Sequence, residues 1–273
     1  SKTSNLLKLV RHAITGFIKL LRPYVAMHIH TLEGYIQNIY LVEYPDKLML
    51  LDGCCRADVD TVFDYITEQL KRPVTDLKLI VVTHMHPDHA GGAHALRKLS
   101  GGKIATSNAP GQWYRGIDGF LMHLTDIALA WWVAGRLNKK RHNLWYNRHL
   151  DADYYLATDA ILPGFDDWQA LHTPGHTDRD ISLYHIPSER IYIADLLVKV
   201  KGQLVPPFPV FYPKLYLNSL LMLKALQPKR IMFAHSNEVS IDDIDFEQIL
   251  ALVPKKPMTH WRSVKAKARQ ALN

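Results

Sequence analysis

The stretch LKLIVVTHMHPDHAGG, residues 77–92, decides how this chain is read. Its opening, residues 77–83, is a near-continuous apolar run of strand length, the pattern of a strand buried on both faces in a parallel-type sheet. Directly after it stand His84, His86, Asp88 and His89, three imidazoles and one carboxylate within six residues. A lone histidine is usually a packed or surface residue. This density at the mouth of a strand points instead to a bound cation, because imidazole nitrogens and carboxylate oxygens are the donors that borderline metals take. Positions 84 and 86 alternate and project to one side, whereas 88 and 89 begin the next helix and reach a neighbouring point, which predicts two adjacent metal positions. Gly91 and Gly92 permit close backbone approach as a helix starts behind the site.

Outward from this stretch, residues 36–43 and 47–51 read as strands joined by a turn at Tyr44-Pro45-Asp46, and Asp52-Gly53 ends the second. Residues 58–71 repeat apolar side chains at the helical period, so the local order is strand, helix, strand, and the fold class is α/β. The second half continues with strands predicted at 168–172, 181–185, 190–194 and 230–234 and a helix at 216–226. Between the halves, residues 104–160 depart from this style and predict a helical insertion over one face. Residues 120–137 are strongly apolar, and 139–148 are basic and aromatic. Trp131, Trp132, Trp145 and Tyr146 beside Arg136, Lys139, Lys140 and Arg141 suit a lid for a lipophilic acyl chain, a membrane-surface element, or a helix pair buried on the domain or on a dimer mate. Residues 5–22 carry apolar side chains at helical spacing among Lys8, Arg11, Lys19 and Arg22, a basic amphipathic helix. The organisation expected is therefore a helix within 1–25, a main domain over 26–253 and a basic tail over 254–273.

The His84–His89 segment resembles the H-x-H-x-D-H signature of the metallo-β-lactamase superfamily, and later positions agree in order. Thr173-Pro174-Gly175-His176-Thr177 matches the family's third-histidine loop, Asp195 follows a strand where the bridging aspartate is found, and His235 follows the last strand. Ala234 precedes His235 where the family often has glycine. The resemblance implies a four-layer αββα fold with two divalent metal ions. It places His84, His86 and His176 on one ion, Asp88, His89 and His235 on the other, and Asp195 between them. Asp52 is implied as a supporting residue, and His172, just before the Thr-Pro-Gly loop, is a second candidate for that role. Zinc suits five imidazoles and two carboxylates, with iron and manganese as alternatives. The implied chemistry is attack by a metal-bridging hydroxide on a carbonyl, with Asp88 orienting the nucleophile and passing a proton to the leaving group.

Composition narrows the substrate. Of 273 residues, 33 are Lys or Arg and 26 are Asp or Glu, a formal charge of +7. The excess lies in the ends, for residues 26–253 carry 22 basic against 26 acidic residues. An acidic body with no dedicated RNA-binding exosite argues against nucleic acid as partner. Asp195 in the bridging position argues against a β-lactamase. A small-molecule acyl substrate such as an ester, lactone or thioester is favoured, and a lipophilic one would suit the insertion. A phosphodiesterase or nuclease, or a mononuclear iron persulfide dioxygenase, is the alternative. Asp195 is followed by Leu196, Leu197 and Val198, where quorum-quenching lactonases carry a tyrosine. A degenerate binding module is disfavoured, because no implied ligand is missing. Cys54 and Cys55 are adjacent and read as thiols, favouring a reducing, cytoplasmic setting with peripheral membrane contact through the basic amphipathic segments. Charged residues interrupt every long apolar stretch, so no spanning segment or cleaved leader is expected.

Overall fold

Side-chain alternation builds two sheets back to back. The first contains, in spatial order, β1 (His28–Glu33), β2 (Asn38–Glu43), β3 (Leu48–Leu50), β4 (Leu77–Val82), β5 (Lys103–Ser107) and β6 (Tyr154–Leu156). Pairing is antiparallel from β1 to β3 and parallel from β3 to β6. Its helices are α1 (Val59–Asp64), α2 (Pro87–Ala90), α3 (Ala93–Ser100) and α4 (Gly116–Arg136). The second half adds β7 (Ile161–Leu162), β8 (Phe165–His172), β9 (Ile181–His185) and β10 (Arg190–Tyr192), then a two-stranded ribbon of β11 (Val198–Val200) and β12 (Gln203–Val205). It continues through α5 (Pro213–Leu226), β13 (Arg230–Met232), β14 (Val239–Ser240) and α6 (Phe246–Ala251). The second sheet runs β14-β13-β10-β9-β8-β7. The computed structural model describes residues 26–259; the helix expected within 1–25, and the tail beyond 259, lie outside the described residues.

Three apolar layers hold these elements. Tyr40, Val42, Leu79 and Val81 of the first sheet meet Trp168, Leu183, Tyr192 and Met232 of the second in a buried core. On the outer face of the first sheet, Leu41, Ile80 and Val82 pack with Val62, Leu96 and Ile127 of α1, α3 and α4. On the outer face of the second, Ile191 and Ile231 pack with Tyr216, Leu220 and Ile249 of α5 and α6. The result is an αββα sandwich. The continuous apolar run in β4 has its reason here, since its successive residues serve two different cores.

The insertion is narrower in helical content than the segment 104–160. β5 and β6 stand within that segment and extend the first sheet, α4 is its single helix, and residues 138–153 form no helix or strand. α4 is long and apolar enough, by length and composition, to cross a membrane, contrary to the sequence reading. Of the residues that interrupt it, His123 and Asp126 are buried against the protein and Asp118 is exposed.

Within the first sheet β3 and β4 run parallel; within the second, β8, β10 and β13 share one direction. Their carboxyl ends converge at one edge. There the sheets are joined by the Asn38 side-chain amide donating to the Ser236 carbonyl (2.7 Å) and by the Tyr40 hydroxyl donating to the Phe233 carbonyl (3.0 Å).

Candidate metal centre

At the end of β3, Asp52 accepts from the Thr83 backbone N–H (3.0 Å) and from the Thr83 hydroxyl (2.7 Å), tying the ends of β3 and β4 together. Having donated to Asp52, the Thr83 hydroxyl accepts from His84 Nδ1 (3.1 Å). Pro87 stands in the first turn of α2, where its lack of an N–H costs nothing, and starts the turn that carries Asp88 and His89. The following glycine matters sterically, because a Cβ on Gly91 would lie 2.3 Å from the Pro87 carbonyl oxygen.

Four of the five imidazoles, all but His86, share one plan: an outer nitrogen held by the protein and an inner one turned to a common centre. His89 Nδ1 donates to Asp52 (2.6 Å), His176 Nδ1 to the Pro209 carbonyl (2.6 Å) and His235 Nδ1 to the Ile36 carbonyl (3.0 Å). Inside, His84 Nε2 lies 3.1 Å and His176 Nε2 2.9 Å from His86 Nδ1. Three nitrogens facing one another at such distances cannot all be satisfied by shared protons, and a cation between them resolves the arrangement. His86 therefore faces inward through Nδ1, and its Nε2 points to Asp126 of α4 at 3.7 Å. Asp126 in turn accepts from the Tyr114 hydroxyl (2.8 Å).

Asp195 divides its carboxylate between two groups. Oδ2 lies 3.4 Å from His176 Nε2 and 3.9 Å from His84 Nε2, whereas Oδ1 lies 3.4 Å from His89 Nε2 and 3.2 Å from His235 Nε2. Asp88 Oδ2 is 3.3 Å from His89 Nε2 and 3.2 Å from His235 Nε2. His84, His86, His176 and Asp195 thus form one group able to hold a metal ion, and Asp88, His89 and His235 a second. Asp195 emerges from β10 through Ala194, whose φ of 45° is a left-handed conformation costly for a residue with a Cβ.

The electrostatics fit cations. Burial keeps His84, His86 and His176 below the ordinary histidine range, leaving neutral donors. Burial opposes ionisation of Asp88 and Asp195, but adjacent His89 and His235 hold both carboxyls well below the usual range. Those two imidazoles are driven up against the effect of burial, His235 to about 10, because the carboxylates demand positive charge beside them. Among the described residues the buried His89 Nε2 and Asp195 Oδ1, both turned inward, have no hydrogen-bond partner. A buried acceptor left so costs stability unless an ion engages it.

All seven residues read as ligands from the sequence meet at this edge, and Asp52 sits behind His89. Among the described residues His172 hydrogen-bonds none of the seven. It follows Trp168 and Ala170 on the inter-sheet side of β8, and its Nε2 bonds the Leu156 carbonyl of β6 at 2.9 Å. Strand alternation turns it between the sheets. Residues not read as part of the centre from the sequence also contribute: Tyr192 donates to Asp52 (3.0 Å), and Tyr146 of the insertion donates to the Met85 carbonyl within the His84–His89 loop. Tyr192 had a signal in its alternation toward the inter-sheet core; the carbonyls of Ile36 and Pro209 had none, because main chain carries no sequence signature. Cys54 and Cys55 are buried free thiols whose ionisation burial suppresses.

A family model for the metallo-beta-lactamase superfamily matches residues 32–235. The Bacillus subtilis protein described as probable metallo-hydrolase YflN is 24% identical over 229 residues, covering 77% of this chain and 84% of that one. Among solved structures, the archaeal metallo-beta-lactamase superfamily protein ST1585 from Sulfolobus tokodaii superposes with a TM-score of 0.59 at 21% identity, covering 84% of this chain and 86% of its own. The metallo-beta-lactamase family protein TTHA1429 from Thermus thermophilus gives 0.58 at 19% identity, covering 82% and 77%.

Proposed function

The chain belongs to the metallo-beta-lactamase superfamily, and from that premise we propose that it is a metal-dependent hydrolase of small esters, lactones or thioesters. The observation that carries this reading is the division of Asp195 between two complete donor groups. That division supports a pair of ions held by the seven residues, rather than a mononuclear iron centre. Five imidazoles and two carboxylates favour zinc. When bound, such a pair supplies Lewis acidity and a water nucleophile that loses its proton near neutral pH.

The protein's own groups do the remainder. His84, His86 and His176 would hold one ion as neutral donors, with Nδ1 of His84 and His176 anchored by Thr83 and Pro209. Asp52 fixes the ring of His89 for the other ion. Asp88 is ionised at neutral pH, accepts the proton released by the attacking water and returns it to the leaving group.

The test is elemental analysis followed by turnover on lactone, thioester, β-lactam and bis-nitrophenyl phosphate substrates. Two zinc ions per chain are expected, with acyl hydrolysis lost to a chelator and restored by metal. Asp88→Ala should lower turnover by about 100-fold or more. One iron per chain with oxygen consumption on a persulfide, or preference for the phosphodiester, overturns the proposal.

A further inference from the structure

α4 has two unlike faces. Its buried side is Gly119, His123, Asp126, Ile127, Ala130 and Ala134. The opposite side presents Ile117 (79% exposed), Phe120, Leu121 (47%), Leu124 and Trp132 (58%) to solvent. Each turn of the helix's first half adds a large apolar side chain to a surface that the domain leaves uncovered. Such a row is uncommon on a protein that meets only water.

Cations frame this face at both ends. Arg115 and Arg148 stand at its start, Arg148 donating to the Tyr114 and Gly116 carbonyls (2.9 Å each). At its far end Arg136 lies over the Trp132 ring (5.1 Å), Arg141 over the Trp131 ring (3.7 Å), and Lys140 is exposed. Among the described residues none of these five cations is ion-paired with a carboxylate, and Asp118 is the one exposed acid of the helix. With 21 residues the helix is about 30 Å long, so cationic ends flank a long apolar middle.

We propose that this face of α4 docks on an anionic lipid bilayer, with the helix lying in the plane of the interface. Apolar side chains enter the acyl boundary, the tryptophans sit at headgroup depth, and the stacked guanidiniums meet lipid phosphates. A second copy of the chain is the less fitting occupant. Two-fold pairing would set Arg115 and Arg148 of one copy against Arg136, Lys140 and Arg141 of the other, or each cluster against itself. Either way like charges meet around a dry core. The proposal is independent of the hydrolytic reading, since binding to lipid needs no metal.

The full chain is sedimented with vesicles of phosphatidylcholine alone and of phosphatidylcholine with about one-third phosphatidylglycerol. Binding to the second, weakened by salt, is expected. A chain carrying both Ile117→Asp and Leu121→Asp should bind about tenfold more weakly or worse, with metal content and unfolding midpoint unchanged. Quenching of the wild-type tryptophans by brominated lipid gives the same answer without substitution. Absence of wild-type binding overturns the proposal. So does binding undiminished in the double variant, which would assign it to the basic ends of the chain. A dimer dissolved by the same substitutions without any lipid binding assigns the face to a second copy.

Discussion

Asp52 shows how one buried side chain can govern a site it does not enter. Its carboxylate accepts from Thr83, His89 and Tyr192, joining three strands and setting the ring of His89. Asp52→Ala is expected to weaken the ion at Asp88, His89 and His235 by about 10–100-fold. Competition against a chromogenic chelator would show it, with the ion at the other group bound nearly as before. The same logic reaches into the insertion. Asp126 lies behind His86 as Asp52 lies behind His89, though at 3.7 Å rather than within hydrogen-bond distance. The candidate ligands were legible from sequence because ionisable side chains at fixed spacing are rare by chance. Their outer partners were only partly so: an Asp-Gly after a strand is a signal, but an acid within an apolar helix looks like an interruption until its neighbours are known.

Among the elements, the loop between β8 and β9 and the helix α5 place His176 together. Gly175 has a φ of +149°, and a Cβ there would lie 2.4 Å from the Tyr216 Cα in the first turn of α5. Gly175→Ala should therefore destabilise the fold by about 2–4 kcal/mol through strain and overpacking, and displace His176. Gly164→Ala is the control. Its φ of +76° is also left-handed, but nothing lies within 4 Å of its Cβ position, and about 1 kcal/mol is expected. Denaturant unfolding of both variants separates collision from strain. Most strands and the α5 helix were legible because their apolar period is strong. β1, with three histidine and acidic positions in six residues, was not, since its pairing with β2 rather than its own pattern makes it a strand. β5 and β6 were hidden for the same reason inside what reads as one insertion.

For the whole molecule, pH dependence illustrates how burial acts on stability. His185 lies in β9 against the Trp168 ring (4.9 Å), and burial, aided by the nearby Arg190, pushes its imidazole down to about 4. The unfolded chain binds this proton near its ordinary value of about 6.5. Between the two values the unfolded state holds more protons, so the contribution is fully present above about 6.5 and is lost as pH falls toward 4. It amounts to about 3 kcal/mol, and His185→Gln should flatten that limb of a stability-against-pH curve. The sequence by itself determined the class of fold and the spacing of the seven candidate donors, because periodicity and ligand chemistry are written in residue type and spacing. Tertiary structure alone decided which nitrogen of each imidazole turns inward, that Asp195 faces both groups, that His172 bonds the Leu156 carbonyl, and which side of α4 remains outside. Each of those depends on contacts between residues up to about two hundred positions apart, as between Ile36 and His235, and no local pattern encodes the direction in which a side chain finds its partner.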